Sequence, residues 1–328
     1  MLSRVAESIC WMARYIERAE NVARFVDVNL NLMLDSPTGE ERQWQPLVNT
    51  TGDHEIFAKR YGEATRENVI RFLTVDDEYP SSILSCLQYA RENARSIRDI
   101  ISSEMWEQIN RFYLMVREAA NEPLSAVGQE KFFIEVKEAS HLFNGCAEAT
   151  MTRNEAWHFL HLGRMLERAD KTSRILDVKY FILLRSSTEV GTPIDDVHWA
   201  AVLRSASAFE MYRQRHGRIS PDGIVQFLLL DPEFPRAIRF CVNAARDSVH
   251  AISRSPTDTF RNPAERLLGQ LSSDLAYAQV EDVLKTGLHE YLDDLQNKMN
   301  QVSQGIYDTF FARRVPDAGK KTLMQHNQ

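Results

Sequence analysis

The sequence has little of several residue types and motifs that would indicate particular functions. Its 328 residues include four cysteines, which are far apart and form no Cys-x-x-Cys pair, so buried free thiols are expected. No uninterrupted apolar run approaches about 18 residues, which argues against a membrane span. The amino terminus carries charges where a secretory signal would need an apolar stretch. These absences predict a cytoplasmic protein with no membrane association.

The sequence also lacks an excess of positive charge and the common cofactor motifs. Its formal net charge is −7, whereas a nucleic-acid-binding protein needs a strongly basic surface. A Walker loop, a dinucleotide-binding glycine motif, a Gly-x-Ser-x-Gly elbow and a His-Glu-x-x-His motif are all absent. We therefore predict no nucleic-acid partner and no cofactor. Hydrophobic and charged fractions of 44% and 26% are those of a globular protein.

Apolar residues recur with helical spacing along nearly the whole chain, and no segment alternates with the period of a strand. One stripe predicts a helix of roughly thirty residues that begins after a cap at Ser3 and stops at Asp35. A similar stripe extends from Phe159 to Leu183, and the last helix is expected near 281–311. Pro80 is expected in the first turn of a further helix that ends near Ile101, and Pro235 in one that ends near Ser253; Thr65 and Ser220 are expected to cap shorter helices.

The two long predicted helices resemble each other. Seven of fifteen positions in segment 14–28 are identical in segment 164–178. Six of the shared residues are Arg14, Glu17, Arg18, Ala19, Arg24 and Asp27, matched by Arg164, Glu167, Arg168, Ala169, Arg174 and Asp177. Because charges are repeated as well as core residues, the chain is interpreted as a duplicated unit.

A second block repeats at an offset of 155 residues, where 72–80 matches 227–235. The fold class predicted is all-α, with two pseudo-symmetric helical-bundle halves packed together. The first half is assigned to 1–150 and the second to 151–312, and the polar segment 313–328 is expected to be a disordered tail.

The repeated charges lie on one flank of each helix, next to the apolar stripe. Glu20 and Arg24 form an acid-first (i, i+4) pair, Arg24 and Asp27 an (i, i+3) pair, and Asp170 and Arg174 repeat the first arrangement. One interpretation is an ion-pair network that fixes how the helices pack. The other is a shared polar centre that binds a carboxylate, a phosphate or an amine of a small peptide or amino-acid ligand. The candidate residues are Arg14, Glu17, Arg18, Glu20, Arg24, Arg164, Glu167, Arg168, Asp170 and Arg174.

Other charged positions are weaker candidates. Arg91 and Arg246 are repeat partners that could reach the same centre. Asp76 and Asp231 precede predicted helices, where capping explains them. Acid-x-x-His spacings of the kind used by di-iron proteins end at His141, His158 and His250. None of these spacings recurs in the other half, so no metal site is predicted.

The segments Tyr15-Ile-Glu17-Arg18-Ala-Glu20-Asn and Leu166-Glu167-Arg168-Ala-Asp170 resemble the bacterial alpha-E family, an α-helical domain family named for its Glu-Arg motif and of unknown function. The resemblance extends to about residue 312. It implies an association with a circularly permuted ATP-grasp protein and a transglutaminase-like protein, since members are encoded beside or fused to such proteins. That association suggests the synthesis or processing of a small peptide.

Three functions remain open from the sequence. The preferred one is a non-catalytic helical accessory protein of an ATP-grasp amide-ligase system, in which Glu17, Arg18, Glu167 and Arg168 organise a shared polar centre. The second is an enzyme that uses Glu17 or Glu167 as a general acid or base. The third is a purely structural, oligomerising bundle.

Overall fold

The computed structural model describes residues 1–34, 44–121, 126–183 and 193–312, and every regular element in these ranges is helical. The elements, in chain order, are α1 (Ser3–Leu34), α2 (Gln45–Thr51), α3 (His54–Tyr61), α4 (Arg66–Thr74), α5 (Ile83–Ser96), α6 (Ser103–Ala119), α7 (Ala126–Thr150), α8 (Glu155–Leu183), α9 (Pro193–Ser205), α10 (Phe209–His216), α11 (Pro221–Leu230), α12 (Ile238–Ser253), α13 (Pro263–Tyr277), α14 (Val280–Thr286), α15 (Leu288–Ile306) and a π-helical turn (Tyr307–Phe311). The all-α prediction is confirmed. No described helix is long and apolar enough to cross a bilayer.

The two longest described helices, α1 and α8, pack against each other at the centre of the molecule. Helices α5, α6 and α7 complete one four-helix group with α1, and α12, α13 and α15 complete another with α8. The apolar stripe of α1 faces this core, and Ile9, Met12, Ile16 and Ala23 are fully or almost fully buried. The predicted duplication and its boundaries at 150 and 312 remain predictions.

Gly163 allows α1 and α8 to approach closely. A β-carbon built at Gly163 would lie 2.3 Å from the carbonyl oxygen of Cys10 on α1, which is far inside contact distance. Because the carbonyl oxygen belongs to the backbone of α1 and a β-carbon would be fixed to the backbone of α8, neither atom could move aside without displacing a helix. The lack of a β-carbon at residue 163 therefore allows the close spacing of the two central helices.

Two predicted helix starts are wrong. Pro80 and Pro235 lie in turns, and the helices begin at Ile83 and Ile238. The turn is stabilised by the preceding aspartate: Oδ1 of Asp76 accepts hydrogen bonds from the backbone N–H groups of residues 78 and 79, and Oδ1 of Asp231 those of 233 and 234. These carboxylates cap a turn rather than a helix.

Two predicted helix ends also need correction. Helix α5 ends at Ser96 instead of near Ile101, with the N–H of Ile97 bonded to the carbonyl of Ala94. The single helix expected over 281–311 is broken at Gly287, whose φ of +100° lies in the region that favours glycine. The caps predicted at Thr65 and Ser220 are confirmed, since the Thr65 hydroxyl accepts from the N–H of Asn68 and the Ser220 hydroxyl from that of Gly223. The cap predicted at Ser3 is wrong, because α1 already includes Ser3 and the carbonyl of Leu2 accepts from the N–H of Ala6.

The cysteines are free, as expected. Cys10, Cys86 and Cys241 are buried, and Cys146 is half-buried. Burial raises the pKa of each of the three buried thiols to about 12, so they remain protonated core residues. The predicted tail, 313–328, lies outside the described residues, as does the predicted stop of the first helix at Asp35.

Candidate functional site: a reciprocal Glu-Arg centre

The two Glu-Arg pairs meet across the contact between α1 and α8, and each arginine binds the glutamate of the other pair. Nε and Nη2 of Arg168 donate to Oε1 and Oε2 of Glu17, both at 2.8 Å. Nε and Nη2 of Arg18 donate to Oε1 and Oε2 of Glu167, at 2.7 and 3.1 Å. These four residues form the Glu-Arg centre. Two parallel N–H···O bonds per pair give both strength and a fixed geometry.

Both glutamates of the Glu-Arg centre are shielded from water, with exposed fractions of 1% for Glu17 and 0% for Glu167. Burial by itself would raise the pKa of Glu17, but the charges of Arg168 and Arg236 outweigh it and the pKa is lowered. Burial likewise opposes ionisation of Glu167, and Arg18, together with Lys171 and Arg14, lowers its pKa well below the usual range. Both groups are therefore ionised carboxylates at neutral pH.

Glu20 lies one turn beyond Glu17 on α1. Together with Arg24 and Arg236 it forms a group that we call the first flank. Nε and Nη2 of Arg24 donate to Oε1 of Glu20 at 2.8 and 2.7 Å, which is the (i, i+4) pair predicted from the sequence. Nη1 of Arg236 donates to Oε1 of Glu17 at 3.1 Å, and its Nη2 donates to Glu20. The Ser140 hydroxyl donates to the other oxygen of Glu20 at 2.7 Å.

The corresponding group on α8, the second flank, consists of Asp170, Lys171 and Arg174. Nε of Arg174 lies 3.0 Å from Oδ2 of Asp170, again the predicted pair. Nζ of Lys171 lies 2.9 Å from the same oxygen and 3.5 Å from Oε1 of Glu167. Nη1 of Arg174 also donates to the backbone carbonyl of Thr50, at 3.2 Å, which ties α2 to α8.

Arg14 and Arg164 are repeat partners, yet the structure places them differently. Nε of Arg14 donates to Oε2 of Glu167 at 3.0 Å, so Arg14 joins the Glu-Arg centre as predicted. Arg164 instead donates to Asn144 and Glu148 of α7, at 3.2 and 3.0 Å. Arg164 therefore belongs to the contact between α7 and α8.

Arg91 and Arg246 do not reach the Glu-Arg centre. Nε of Arg91 donates to Asn110 on α6 at 2.7 Å, and Nη1 of Arg246 donates to Ser272 on α13 at 2.9 Å. Their shared sequence position thus corresponds to a shared role in packing neighbouring helices.

The histidines with metal-like spacing have other partners. His141 lies on the first flank, with Nε2 3.3 Å from Glu20. The ring of His158 packs edge-on against Trp157, and His250 contacts the Ser255 hydroxyl at 3.0 Å. His161, three residues after His158, contacts the Ser248 hydroxyl, also at 3.0 Å. In the four described ranges no group of three or more potential metal ligands occurs.

Two predictions about the flanks have different outcomes. The charged residues expected next to the apolar stripe of α1 are all buried, namely Glu17, Glu20, Arg24 and Asp27. The expected Arg24–Asp27 pair does not form, because Arg24 contacts Glu20, His141 and Ser207. Asp27 instead accepts from Nζ of Lys137 on α7 at 2.7 Å.

Arg236 is the functional candidate that sequence reasoning missed. Its match at the offset of 155 is Ser81, so a comparison of the two repeats gives no reason to select it. Its side chain is nevertheless buried, with 9% of it exposed, and it contacts both Glu17 and Glu20. The only available signal is an arginine within the apolar segment Phe-Pro-Arg-Ala-Ile that leads into α12.

A cleft opens beside the second flank, and we call it the cationic cleft. Together with the open solvent at its mouth it contains about 530 Å³ of space outside the protein atoms. The cationic side chains that line it are Arg18, Lys171 and Arg174. Its other walls include Val22, Phe25 and Ser81.

These contacts define an all-helical protein whose two longest described helices are joined by two buried, reciprocal Glu-Arg pairs. The chain belongs to the Alpha-E family, described as a predicted alpha-helical domain with a conserved ER motif, whose family model matches residues 1–311. Glu17-Arg18 and Glu167-Arg168 have the residue types that this description names.

The curated relatives that match are uncharacterized mycobacterial proteins. One from Mycobacterium bovis and one from Mycobacterium tuberculosis are each 21% identical to this chain over 335 aligned residues, and a second Mycobacterium tuberculosis protein is 20% identical. Each match covers 95% of this chain but 37% of the relative. The chain therefore spans little more than a third of the length of these relatives. No solved structure matches it.

Proposed function

We propose that the chain is a non-catalytic helical accessory protein, in which the Glu-Arg centre fixes α1 against α8. The observation that carries the proposal is the reciprocal pairing itself. Each buried glutamate already receives two parallel hydrogen bonds from the arginine on the opposite helix. Such pairing specifies the relative position of two helices more than it stabilises the fold.

The same pairing argues against acid or base catalysis by Glu17 and Glu167. Their pKa values are lowered by the neighbouring cations, despite burial, whereas an effective general base has a pKa near the working pH. Their oxygens are also already bonded, so a substrate would have to displace an arginine. We therefore do not propose that the chain is an enzyme that uses Glu17 or Glu167 as a general acid or base.

We infer that the two halves arose by duplication and pack about an approximate two-fold axis. Support comes from the repeated residues and from the two matching four-helix groups. The pairs Arg60–Asp76 and Arg215–Asp231 also occupy matched sequence positions. Under this proposal the Glu-Arg centre lies on the axis, because each pair contributes one residue from each half.

The proposed partners are a circularly permuted ATP-grasp protein and a transglutaminase-like protein, and the proposed process is the synthesis or processing of a small peptide. The family resemblance supplies this idea. The lengths of the mycobacterial relatives support a role alongside other domains, since the region they share with this chain is 37% of each. Neither observation identifies the substrate.

Co-expression tests the partnership. The tagged chain and a circularly permuted ATP-grasp protein from the same organism should co-elute on size-exclusion chromatography at the mass of a complex. A double variant, Glu17→Met with Arg168→Met, tests whether the charges of the centre take part in binding. It replaces one ion pair of the centre by apolar side chains of similar volume. If the centre has a purely structural role, this variant should fold and still form the complex.

Two results would contradict the proposal. Separate elution of the two folded proteins at concentrations of about 10 µM, far above a typical specific Kd, would remove the ATP-grasp partner. A folded repacked variant that no longer forms the complex would show that the ionic groups themselves have a function. Circular dichroism of each variant separates loss of binding from loss of folding.

A further inference from the structure

The cationic cleft exists because the two flanks balance their charges differently. On the first flank Arg236 reaches in from the turn before α12 and lies between Glu17 and Glu20. The residue at the matched position before α5 is Ser81, which is too short to fill the same space and lines the cleft instead. The cation beside Glu167 and Asp170 comes from Lys171 on α8 itself. The space that an arginine fills on one flank is therefore open on the other.

Donor groups in the cationic cleft are incompletely used. Nη1 of Arg18 has a single contact, 3.5 Å from the hydroxyl of Ser81, which is at the limit of a hydrogen bond. Within the described residues, Nη2 of Arg174 has no hydrogen-bond partner. The side chains of Arg18, Lys171 and Arg174 are 16%, 21% and 24% exposed, so a ligand can reach them.

The charge of this region matches a monoanion. The cations are Arg14, Arg18, Lys171 and Arg174, and the acids are Glu167, Asp170 and Asp53. Four positive and three negative charges leave a net charge of +1. Since a phosphate monoester carries close to two negative charges at neutral pH, a carboxylate is the better match.

Four apolar side chains also line the cationic cleft, beside polar groups such as those of Asn21, Thr50 and Tyr79. The apolar residues are Val22 and Phe25 from α1, Leu73 from α4 and Ile175 from α8. A ligand that contacts both the cations and the apolar side chains has a carboxylate attached to an apolar group. We propose that the cationic cleft binds such a carboxylate, supplied by a small apolar acid or by the carboxyl terminus of a peptide with an apolar last residue.

This inference does not depend on the ATP-grasp partnership, because it concerns a small ligand of the isolated chain. Isothermal titration calorimetry with N-acetyl-L-phenylalanine tests it. We expect saturable one-to-one binding, with affinity at least about tenfold weaker for the neutral amide of the same compound. Phenyl phosphate should also bind more weakly than the carboxylate. The tripeptide Gly-Gly-Phe distinguishes the two sources: tighter binding than the acetylated amino acid indicates a peptide terminus, and weaker binding a small acid.

Three variants locate the binding. Lys171→Met removes a cation from the cleft and should weaken binding of N-acetyl-L-phenylalanine by about tenfold or more. Lys59→Met makes the same substitution at an exposed lysine on α3 and should leave it unchanged. Val22→Trp fills the cleft without altering any ion pair and should abolish binding, so the test does not depend on the folding of the Lys171 variant.

The proposal is overturned if the wild-type chain binds none of the carboxylates at up to about 10 mM. Equal affinity for the acid and its amide would show that the cations do not recognise the ligand. Tighter binding of phenyl phosphate would contradict the charge argument. Unchanged binding by a folded Val22→Trp variant would place the site elsewhere. None of these results bears on whether the chain forms a complex with an ATP-grasp protein.

Discussion

The two flanks of the Glu-Arg centre solve one electrostatic problem in two ways. Each flank has an acid one turn after the motif glutamate, the buried Glu20 on α1 and the half-buried Asp170 on α8, and each acid pairs with the arginine four residues later. Two carboxylates so close together need a further cation. The first flank takes Arg236 from a neighbouring turn, whereas the second uses Lys171, which is adjacent to Asp170 in sequence.

The difference shows that a repeated motif can keep its central contact while the surrounding charges change position. Asn21 occupies the position on α1 that Lys171 has on α8, and Ser81 matches Arg236. Both additional cations therefore come from the second half of the chain, Arg236 for the first flank and Lys171 for the second. The first arrangement fills the protein interior, and the second leaves room for the cationic cleft.

Of the substitutions that test this comparison, the removal of Arg236 should have the largest effect on the stability of the fold. Arg236→Met leaves Glu17 with Arg168 and Glu20 with Arg24, but two close carboxylates lose the cation between them. We expect the free energy of unfolding at pH 7.5 to fall by about 3–5 kcal/mol, the usual cost of removing one partner from a buried ion pair. Urea denaturation followed by circular dichroism measures this change.

The control is Ser81→Ala, the matched position on the open flank. Its hydroxyl makes a distant contact with Arg18, also interacts with Tyr79 and carries no charge, so the expected change is within about 0.5 kcal/mol. Similar costs for the two variants would mean that Arg236 is not the cation that balances the first flank.

A second test moves the additional cation of the first flank onto α1, as the second flank has its cation on α8. Arg236→Ser removes the incoming cation, and Asn21→Lys adds a cation where α8 has Lys171. The double variant should regain about 1–3 kcal/mol of the unfolding free energy lost by Arg236→Ser alone. A double-mutant cycle in urea gives this coupling energy. Additive effects would indicate that the two positions are independent, contrary to the proposed equivalence.

A smaller difference between α1 and α8 concerns pH. His161 on α8 has Trp11 at the matched position on α1, so only one helix carries a titratable ring there. Burial, with Arg164 as a further cause, lowers the pKa of His161 from 6.5 to about 3. Because its folded-state pKa is depressed, protonation of the unfolded chain reduces stability as the pH falls below 6.5.

The wild-type chain should therefore lose about 1 kcal/mol of stability more than His161→Gln between pH 7.5 and 5.5. This window lies above the ordinary pKa of 4.5 for glutamate, so Glu17 and Glu167 stay ionised in both states. Parallel urea titrations at the two pH values provide the measurement. Equal pH dependence of the two proteins would show that His161 does not titrate as described.

The sequence contained enough information for the helical architecture and for the position of the charged rows. Apolar spacing predicted α1 and α8, and the helical wheel placed Glu17 and Glu20 on a buried flank. These properties depend on local periodicity, which a single helix already fixes. The repeat also selected the four residues of the Glu-Arg centre, together with Arg91, Arg164 and Arg246, which lie elsewhere.

What the sequence could not predict depends on contacts between distant segments. The exchange of partners between Glu17–Arg168 and Glu167–Arg18 requires the relative rotation of two helices, which no local pattern specifies. Arg236 was missed because a comparison of repeats selects shared residues, and this residue is not shared. The turns at Pro80 and Pro235 were misplaced because a proline that suits a first helical turn also suits the β-turn before it.

The exchange of partners has a consequence for how this chain can change over time. Glu17 and Arg168 are separated by 151 positions but share one hydrogen-bonded unit, as do Arg18 and Glu167 at a separation of 149. A substitution at one end leaves a buried charge unpaired at the distant end. The two copies of the motif should therefore be kept together or lost together in homologous sequences.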